Sequence, residues 1–346
     1  MYKNHVALWF LSLLFVSGCG SPGENTAGQS TVSVNHLSSS SLHTDVTACP
    51  AGKYRVGYVP SWQGELTRIQ LQYLTHINYS FAQPEADGRL KPMGEASENR
   101  LSALVTMAHG VGVKVGIALG GWNGGDDSAF AALAAKPETR TRFVEAVVAM
   151  VQEFQLDGVD MDWEHPDNPA EKIGYLALMQ ELRVALDALP DTHYLTAAVV
   201  GSGDWAGQYI DPEVFEWVDF LNIMAYDNYD QEHHSSLAYA HEAVEYWQAR
   251  GLSREKTVLG VPFYARPSYA QYKDLVAADP NNACRSRVGN DYYNGLPTIR
   301  AKAALTETHT CGIMVWELTQ DTDDETSLLK ALWETVTGQA ASYPCP

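Results

Sequence analysis

From residue 54 onward the chain alternates between two hydrophobic rhythms. Short runs rich in β-branched and aromatic residues, at 54–59, 76–82, 114–119, 158–164, 194–200, 220–226, 258–265 and 312–318, read as strands. Between them apolar residues return every three or four positions. One set is Leu101, Leu104, Val105 and Ala108; a second is Phe143, Val147, Val151 and Phe154. A third is Ile173, Leu176, Leu182, Leu186 and Leu189, preceded by Asn168 and Pro169, which suit an N-cap and a first helical position. Ala243, Val244 and Trp247 predict a fourth helix, closed by Gly251. Strands alternating with helices over about 300 residues predict an α/β protein, a (β/α)8 TIM barrel. A doubly wound open sheet has the same alternation and stays open as the structural alternative. No repeat of solenoid type is present.

The first residues break this rhythm. Lys3 precedes an apolar run over 6–16, too short to span a bilayer as a helix but suited to a signal h-region. The run ends in Val16-Ser17-Gly18-Cys19, which resembles a bacterial lipobox with cleavage before Cys19. Lipidation of Cys19 would tether an exported protein to a membrane, and Gly20 after it favours the outer membrane or cell surface. An ordinary signal peptide, with a secreted product, is the alternative. Residues 20–48 are rich in Ser, Thr, Gly and Asn and carry no apolar period. As a flexible coil they would average roughly 30 Å end to end. The expected division is a signal peptide at 1–18, a linker at 19–48 and a catalytic domain at 49–346.

Composition narrows the partners. Of 346 residues, 45% are hydrophobic and 19% charged, which suits a packed enzyme and excludes a disordered chain. Lys and Arg total 23 against 42 Asp and Glu, a net charge of −19. That sign disfavours nucleic acid and anionic lipid as partners, leaving the lipid on Cys19 as the one membrane contact. A monomer without cofactor is expected. Beyond Cys19 stand Cys49, Cys284, Cys311 and Cys345, an even number that suggests disulfides in an exported chain. Three pairings are open. The preferred one joins Cys49 to Cys345, clasping the ends of a closed barrel, and Cys284 to Cys311, stapling one long connection.

Candidate chemistry concentrates in Leu156-Asp157-Gly158-Val159-Asp160-Met161-Asp162-Trp163-Glu164-His165-Pro166. Alternation along a strand puts Asp160, Asp162 and Glu164 on one face and Val159, Met161 and Trp163 on the other. The apolar set would pack under the outer helices. The acidic set would point into the barrel, with Glu164 at the C-terminal mouth where such barrels hold their chemistry. Three carboxylates in one row repel, so at least one keeps a proton near neutral pH and becomes a candidate general acid. A solvated edge strand would not carry Val159, Met161 and Trp163 on its other face. A divalent-metal site would want His or further carboxylates from other strand ends; His165 faces away by alternation, so no metal is expected. His233-His234 reads as a pair in a surface loop.

The pattern Asp157-Gly-Val-Asp160-Met-Asp162-Trp-Glu164 resembles the D-x-x-D-x-D-x-E signature of glycoside hydrolase family 18, the chitinases. His76-Ile77-Asn78-Tyr79-Ser80-Phe81 is similar to that family's second strand, and Gly120-Gly121-Trp122 to the end of its third. Met224-Ala225-Tyr226-Asp227 is similar to its sixth-strand M-x-Y-D, and Val315-Trp316-Glu317 to its eighth strand. The resemblance implies hydrolysis of β-1,4-linked N-acetylglucosamine in chitin or its oligomers. By it, Glu164 protonates the glycosidic oxygen while the substrate's own acetamido oxygen attacks C1. Asp162 orients the acetamide, Asp160 tunes Asp162, and Tyr226 donates to the acetamide oxygen. Tyr58, Phe81, Trp122, Met224, Asp227 and Trp316 would contact sugar, Trp316 as its floor. Core packing is the rival role for Tyr58, Trp122, Tyr226 and Trp316. Ala118 departs from the pattern where many members have a serine whose hydroxyl contacts the acidic row. The connection from Tyr264 to Gly312 leaves little room for the α+β insertion of some chitinases, which suits a shallow, endo-acting groove. An endo-β-N-acetylglucosaminidase on N-glycans and a chitin-binding lectin without hydrolysis remain as alternatives; such lectins usually replace the acid that Glu164 retains.

Overall fold

The computed structural model describes residues 49–345 apart from 51, 230 and 231. The signal segment, Cys19 and the linker lie outside the described residues.

Eight parallel strands close a barrel: β1 (Tyr54–Pro60), β2 (His76–Ala82), β3 (Lys114–Gly120), β4 (Gly158–Asp162), β5 (Tyr194–Val200), β6 (Phe220–Met224), β7 (Thr257–Pro262) and β10 (Gly312–Trp316). Each pairs with the next, and β10 pairs with β1 through Tyr54↔Gly312 and Gly57↔Val315. The short hairpin β8 (Arg287–Val288) and β9 (Asp291–Tyr292) lies outside the barrel. Around it run α1 (Glu95–His109), α2 (Ser128–Ala134), α3 (Pro137–Glu153), α4 (Pro169–Asp187), α5 (Val214–Trp217), α6 (Leu237–Ala249), α7 (Tyr272–Ala278), α8 (Leu296–Ala304) and α9 (Leu328–Val336). α4 starts where its sequence predicts, with the Asn168 side chain accepting from the Ala170 and Glu171 N–H groups.

Strand alternation sorts the barrel into two cores. Outward residues such as Ile77, Ile117, Val159, Met161, Leu195, Ile223 and Leu259 pack under the helices in one large cluster. Trp163 joins them, with Phe130 at 5.2 Å and Tyr175 at 5.9 Å between ring centres, and its Nε1 donates to Asp127 Oδ2. The inward apolar set is small: Val56, Tyr58, Ala118, Phe220, Val258 and Met314. Asn78, Ser80, Asp160, Asp162, Thr196 and Asn222 are also buried. Tyr194 crosses this interior, its hydroxyl donating to Asn78 Oδ1 at 3.1 Å. A Cβ on Gly158 would lie 2.3 Å from that ring and one on Gly116 2.3 Å from its hydroxyl, so both glycines are steric necessities.

The strands at 158–164, 220–226 and 312–318 end two residues earlier than their periodicity suggests, at Asp162, Met224 and Trp316. Glu164, Tyr226 and Asp227 therefore stand on the first residues past the sheet, where the chain turns outward. The connection from Tyr264 to Gly312 holds α7, the β8–β9 hairpin and α8.

The disulfide pairing differs from the preferred one. Cys49 joins Cys311 with Cα atoms 5.8 Å apart, and Cys284 joins Cys345 at 5.5 Å. Barrel closure brings together the starts of β1 and β10, and Cys49 and Cys311 sit just ahead of those two strands. The C-terminus is farther on, past α9, where Arg300 of α8 donates to the Tyr343 carbonyl. The tail thus returns past α8 to the connection carrying Cys284.

Candidate active site

β4 delivers the acidic row. Asp160, deepest, accepts hydrogen bonds from Tyr58 Oη at 2.5 Å, Thr196 Oγ1 at 2.5 Å and Asn222 Nδ2 at 3.0 Å. Register explains one of these: β5 sets Thr196 beside Asp160, while β3 sets Ala118, which has no donor, on the other side. The hydroxyl that Ala118 cannot offer comes from Thr196. These donors surround Asp160 with N–H and O–H groups, an environment for a carboxylate and not for a cation. Among the described residues no group of three or more His, Cys, Asp or Glu side chains is placed to hold a metal.

Asp162 is buried, and its Oδ1 has no hydrogen-bond partner among the described residues. Burial pushes its carboxyl well above the usual range, and the charges of Glu164 and Asp160 push it further. Glu164 is raised to about 8, first by burial and then by the nearby Asp227 charge, while a hydrogen bond with Asp162 opposes the rise. The two carboxyls face each other and hold a proton at neutral pH. His165 is not turned away: its Nε2 lies 3.7 Å from Glu164 Oε2 and its ring meets Trp205 edge-on at 5.2 Å. Alternation fails here because the strand has already ended at Asp162.

Past β6, burial and the surrounding carboxylates hold the Tyr226 phenol well above its ordinary pKa, so it stays a hydrogen-bond donor. Asp227 follows with φ +57°. Burial would raise its carboxyl, but His234, Arg266 and Tyr264 outweigh that and bring it down to about 2. Tyr264 Oη donates to Asp227 Oδ1 at 2.7 Å, and Arg266 approaches both oxygens at 2.8 and 2.7 Å. Arg266 itself lies over the Tyr269 ring at 3.7 Å.

Aromatic rings flank the row. Trp316 stacks on Phe81 at 5.6 Å and Phe81 on Trp62 at 6.1 Å, while Tyr58 meets Trp316 edge-on at 5.5 Å. Gly121 makes room for Phe81: a Cβ there would lie 2.6 Å from the ring, at φ +82°. On the opposite side of the barrel, Trp205 stands beside His165 and is 61% exposed. Trp122, just past β3, is 59% exposed.

The sequence-predicted residues Tyr58, Phe81, Asp160, Asp162, Glu164, Met224, Tyr226, Asp227 and Trp316 thus converge on one mouth, with Trp122 on its rim. Thr196, Tyr264, Arg266 and Trp62 were not foreseen. Thr196 could have been, as an inward polar residue on a buried strand; Tyr264 falls in the expected run 258–265, past its true end at Pro262, and Arg266 and Trp62 sit on loops without a period. Of the pair His233-His234, read as a surface loop pair, His233 is partly exposed and His234 is not on the surface. His234 is 3% exposed and touches Asp227, because the segment after β6 folds back beneath the mouth.

The sequence model for glycosyl hydrolases family 18 matches residues 54–321. "Probable chitinase 10" of Drosophila melanogaster is 30% identical over 226 residues, covering 57% of this chain and 10% of that protein. The chain spans 10%, 62% and 41% of three curated relatives it matches, less than two thirds in each case. A solved GH18 chitinase from the chitin utilization locus of Flavobacterium johnsoniae superposes with a TM-score of 0.73 at 31% identity, over 83% of this chain and 95% of that one. A chitinase from Bacteroides thetaiotaomicron gives 0.72 at 27% identity, over 82% and 96%.

Proposed function

Because the chain belongs to the glycosyl hydrolases of family 18, we propose that it is a chitinase, cutting β-1,4-linked N-acetylglucosamine chains with retention and with the substrate as its own nucleophile. One observation carries this reading: among the described residues the only carboxyl at the mouth with a raised pKa and an open side is Glu164, and its neighbour Asp162 is buried beneath it. A retaining enzyme with its own nucleophile needs a second carboxylate free to attack C1. Asp227, the remaining candidate, is engaged by Tyr264, Arg266 and His234.

In this mechanism Glu164 gives its proton to the glycosidic oxygen. The acetamido oxygen forms a bond to C1 as the C1–O bond to the leaving sugar breaks, leaving an oxazolinium ion. Asp162 accepts from the acetamide N–H and offsets the positive charge, Asp160 sets the charge of Asp162, and Tyr226 donates to the acetamide oxygen. Water then attacks C1 as the C1–O bond to the acetamido oxygen breaks, restoring the acetamide, and loses its proton to Glu164, which returns to its starting state. Trp316 floors the reacting sugar, since an aromatic face suits the apolar face of a pyranose. Trp62 and Phe81 on one side of Glu164, and Trp205 on the other, favour a chain passing through the groove and cleavage within it.

We also infer export, with lipid on Cys19. The apolar run before that residue supports it, as do the four further cysteines standing in two disulfides.

Side-by-side digestion of chitin oligomers, a high-mannose glycopeptide and fully deacetylated chitosan tests the function. The expected result is cleavage of the oligomers alone with the β-anomer as first product. Turnover of deacetylated chitosan, which lacks the acetamide, would overturn the mechanism, and turnover of the glycopeptide alone would move the substrate to N-glycans.

A further inference from the structure

Asp227 occupies left-handed backbone, where a non-glycine residue is strained and must be held. His234 reaches it twice through one atom. Its Nδ1 lies 3.3 Å from the Asp227 backbone nitrogen and 3.3 Å from Asp227 Oδ1. With the imidazole proton on Nε2, Nδ1 accepts the backbone N–H; with the proton on Nδ1, it donates to the carboxylate. Either tautomer holds Asp227. Nε2 is buried and has no hydrogen-bond partner among the described residues, so the polar contacts of this ring are spent on Asp227. The Asn228 N–H adds a bond to the His234 carbonyl at 3.0 Å.

The segment carrying His234 is itself anchored from below. Ser235 Oγ donates to the Ala225 carbonyl at 2.7 Å, two residues ahead of Asp227. Lys302 of α8, fully buried, donates from Nζ to the Ser235 carbonyl at 2.8 Å and to Ser235 Oγ at 2.7 Å. Asn294 Nδ2 reaches the same carbonyl at 3.0 Å. Among the described residues the hydrogen bonds of Lys302 Nζ all go to Ser235, and burial brings its ammonium down to about 7. A buried lysine spent on the serine that directly follows His234, itself tied to the Ala225 carbonyl ahead of Asp227, points to a segment built for placement.

We propose that His234 is a positioning residue for Asp227. It fixes the carboxylate where it contacts the sugar next to the cleaved bond and where its charge acts on Glu164. The contact to sugar rests on the chitinase reading; the link from His234 to Asp227 does not. Around His234 the titratable and charged groups are Asp227, Tyr264, Arg266, His233 and, behind Ser235, Lys302. Around Glu164 they are Asp162, Tyr226, His165 and Asp227. Asp227 is the member of the second set that His234 touches, so loosening it withdraws a negative charge from Glu164 and makes Glu164 easier to ionise.

The test compares His234→Asn with His234→Gln in the whole chain. Asparagine carries a polar atom at the place of Nδ1, whereas glutamine reaches toward Nε2. His234→Asn should keep kcat/KM on N-acetylchitohexaose within about threefold of wild type. His234→Gln should lose roughly 10- to 100-fold, the range for one hydrogen bond to a charged group, mostly in kcat. The alkaline limb of its pH profile should also move to lower pH. Folded His234→Gln with a wild-type rate and limb, or equal losses in both variants, would overturn the assignment. Should His234→Gln fail to fold, a substrate-free measurement decides. The 15N shifts of the His234 ring should change between wild type and Asp227→Asn, and unchanged shifts would refute the link. If wild type leaves the hexaose uncut, the chitinase reading falls while the ring shifts still judge this one.

Discussion

A carboxyl group that gives a proton in one step and recovers it in the next works best when its pKa lies near the pH of its surroundings. Glu164, raised to about 8 by burial and by Asp227, meets that condition from the protonated side. Its rate contribution should therefore fade as pH rises through about 8. Glu164→Gln should cost on the order of 10²–10⁴-fold in kcat while still binding chitooligosaccharide, and retention of more than about a tenth of the rate would remove Glu164 from its role. The same shift has a thermodynamic face. The folded state binds the Glu164 proton more tightly than the unfolded chain, so stability falls as pH climbs from near 4.5 toward 8. Glu164→Gln should thus be more stable than wild type at pH 8, by on the order of 4 kcal/mol, and no more stable at pH 4, checked by urea melts at both. Thr196→Val should leave Asp160 short of one of three donors and lower kcat/KM by about tenfold, a loss absent if the Thr196 hydroxyl were idle. Asp160 and Asp162 were legible because alternation decides which side chains of a strand share a face, and Glu164 follows them just past the strand's end. His234, Tyr264 and Arg266 were not, since their meeting at Asp227 depends on the paths of two segments past the strand ends, which strand alternation does not set.

Elements were legible where a single rhythm held from end to end. The runs at 76–82 and 194–200 coincide with β2 and β5, and Asn168 caps α4. The mouth-side ends of four strands were not, because apolar alternation continues into residues that no longer pair. Glu164 and Tyr226 lie in those overruns, and Asp227 directly follows one. What the pattern concealed inside the barrel is equally physical: two inward positions, Gly116 and Gly158, look like weak strand residues until Tyr194 is laid across them. Gly158→Ala should then destabilise the domain by roughly 1–3 kcal/mol through overpacking against that ring, read from the urea midpoint. A midpoint unchanged from wild type would show that Tyr194 can swing away.

At the scale of the whole molecule the barrel was legible and its covalent closure was not. Peptide mapping without reductant should recover Cys49 with Cys311 and Cys284 with Cys345; recovery of Cys49 with Cys345 would contradict the strand order that sets β1 against β10. The difference arises because the clasp joins strand starts, whereas the chain's end is displaced by a further helix. If Cys19 carries lipid, Cys19→Ser should release the protein from the membrane fraction, and identical fractionation would rule the anchor out. The stacked row from Trp316 through Phe81 to Trp62 also gives the molecule an optical signature. Trp163 and Trp247, sealed under the helices, set a constant blue background to the emission, whereas Trp62, open to water, emits to the red. A sugar laid along the row displaces that water, so the emission maximum moves to shorter wavelength on binding alone. Occupancy of the groove can then be read in the Glu164→Gln protein by its own fluorescence, with no label and no turnover.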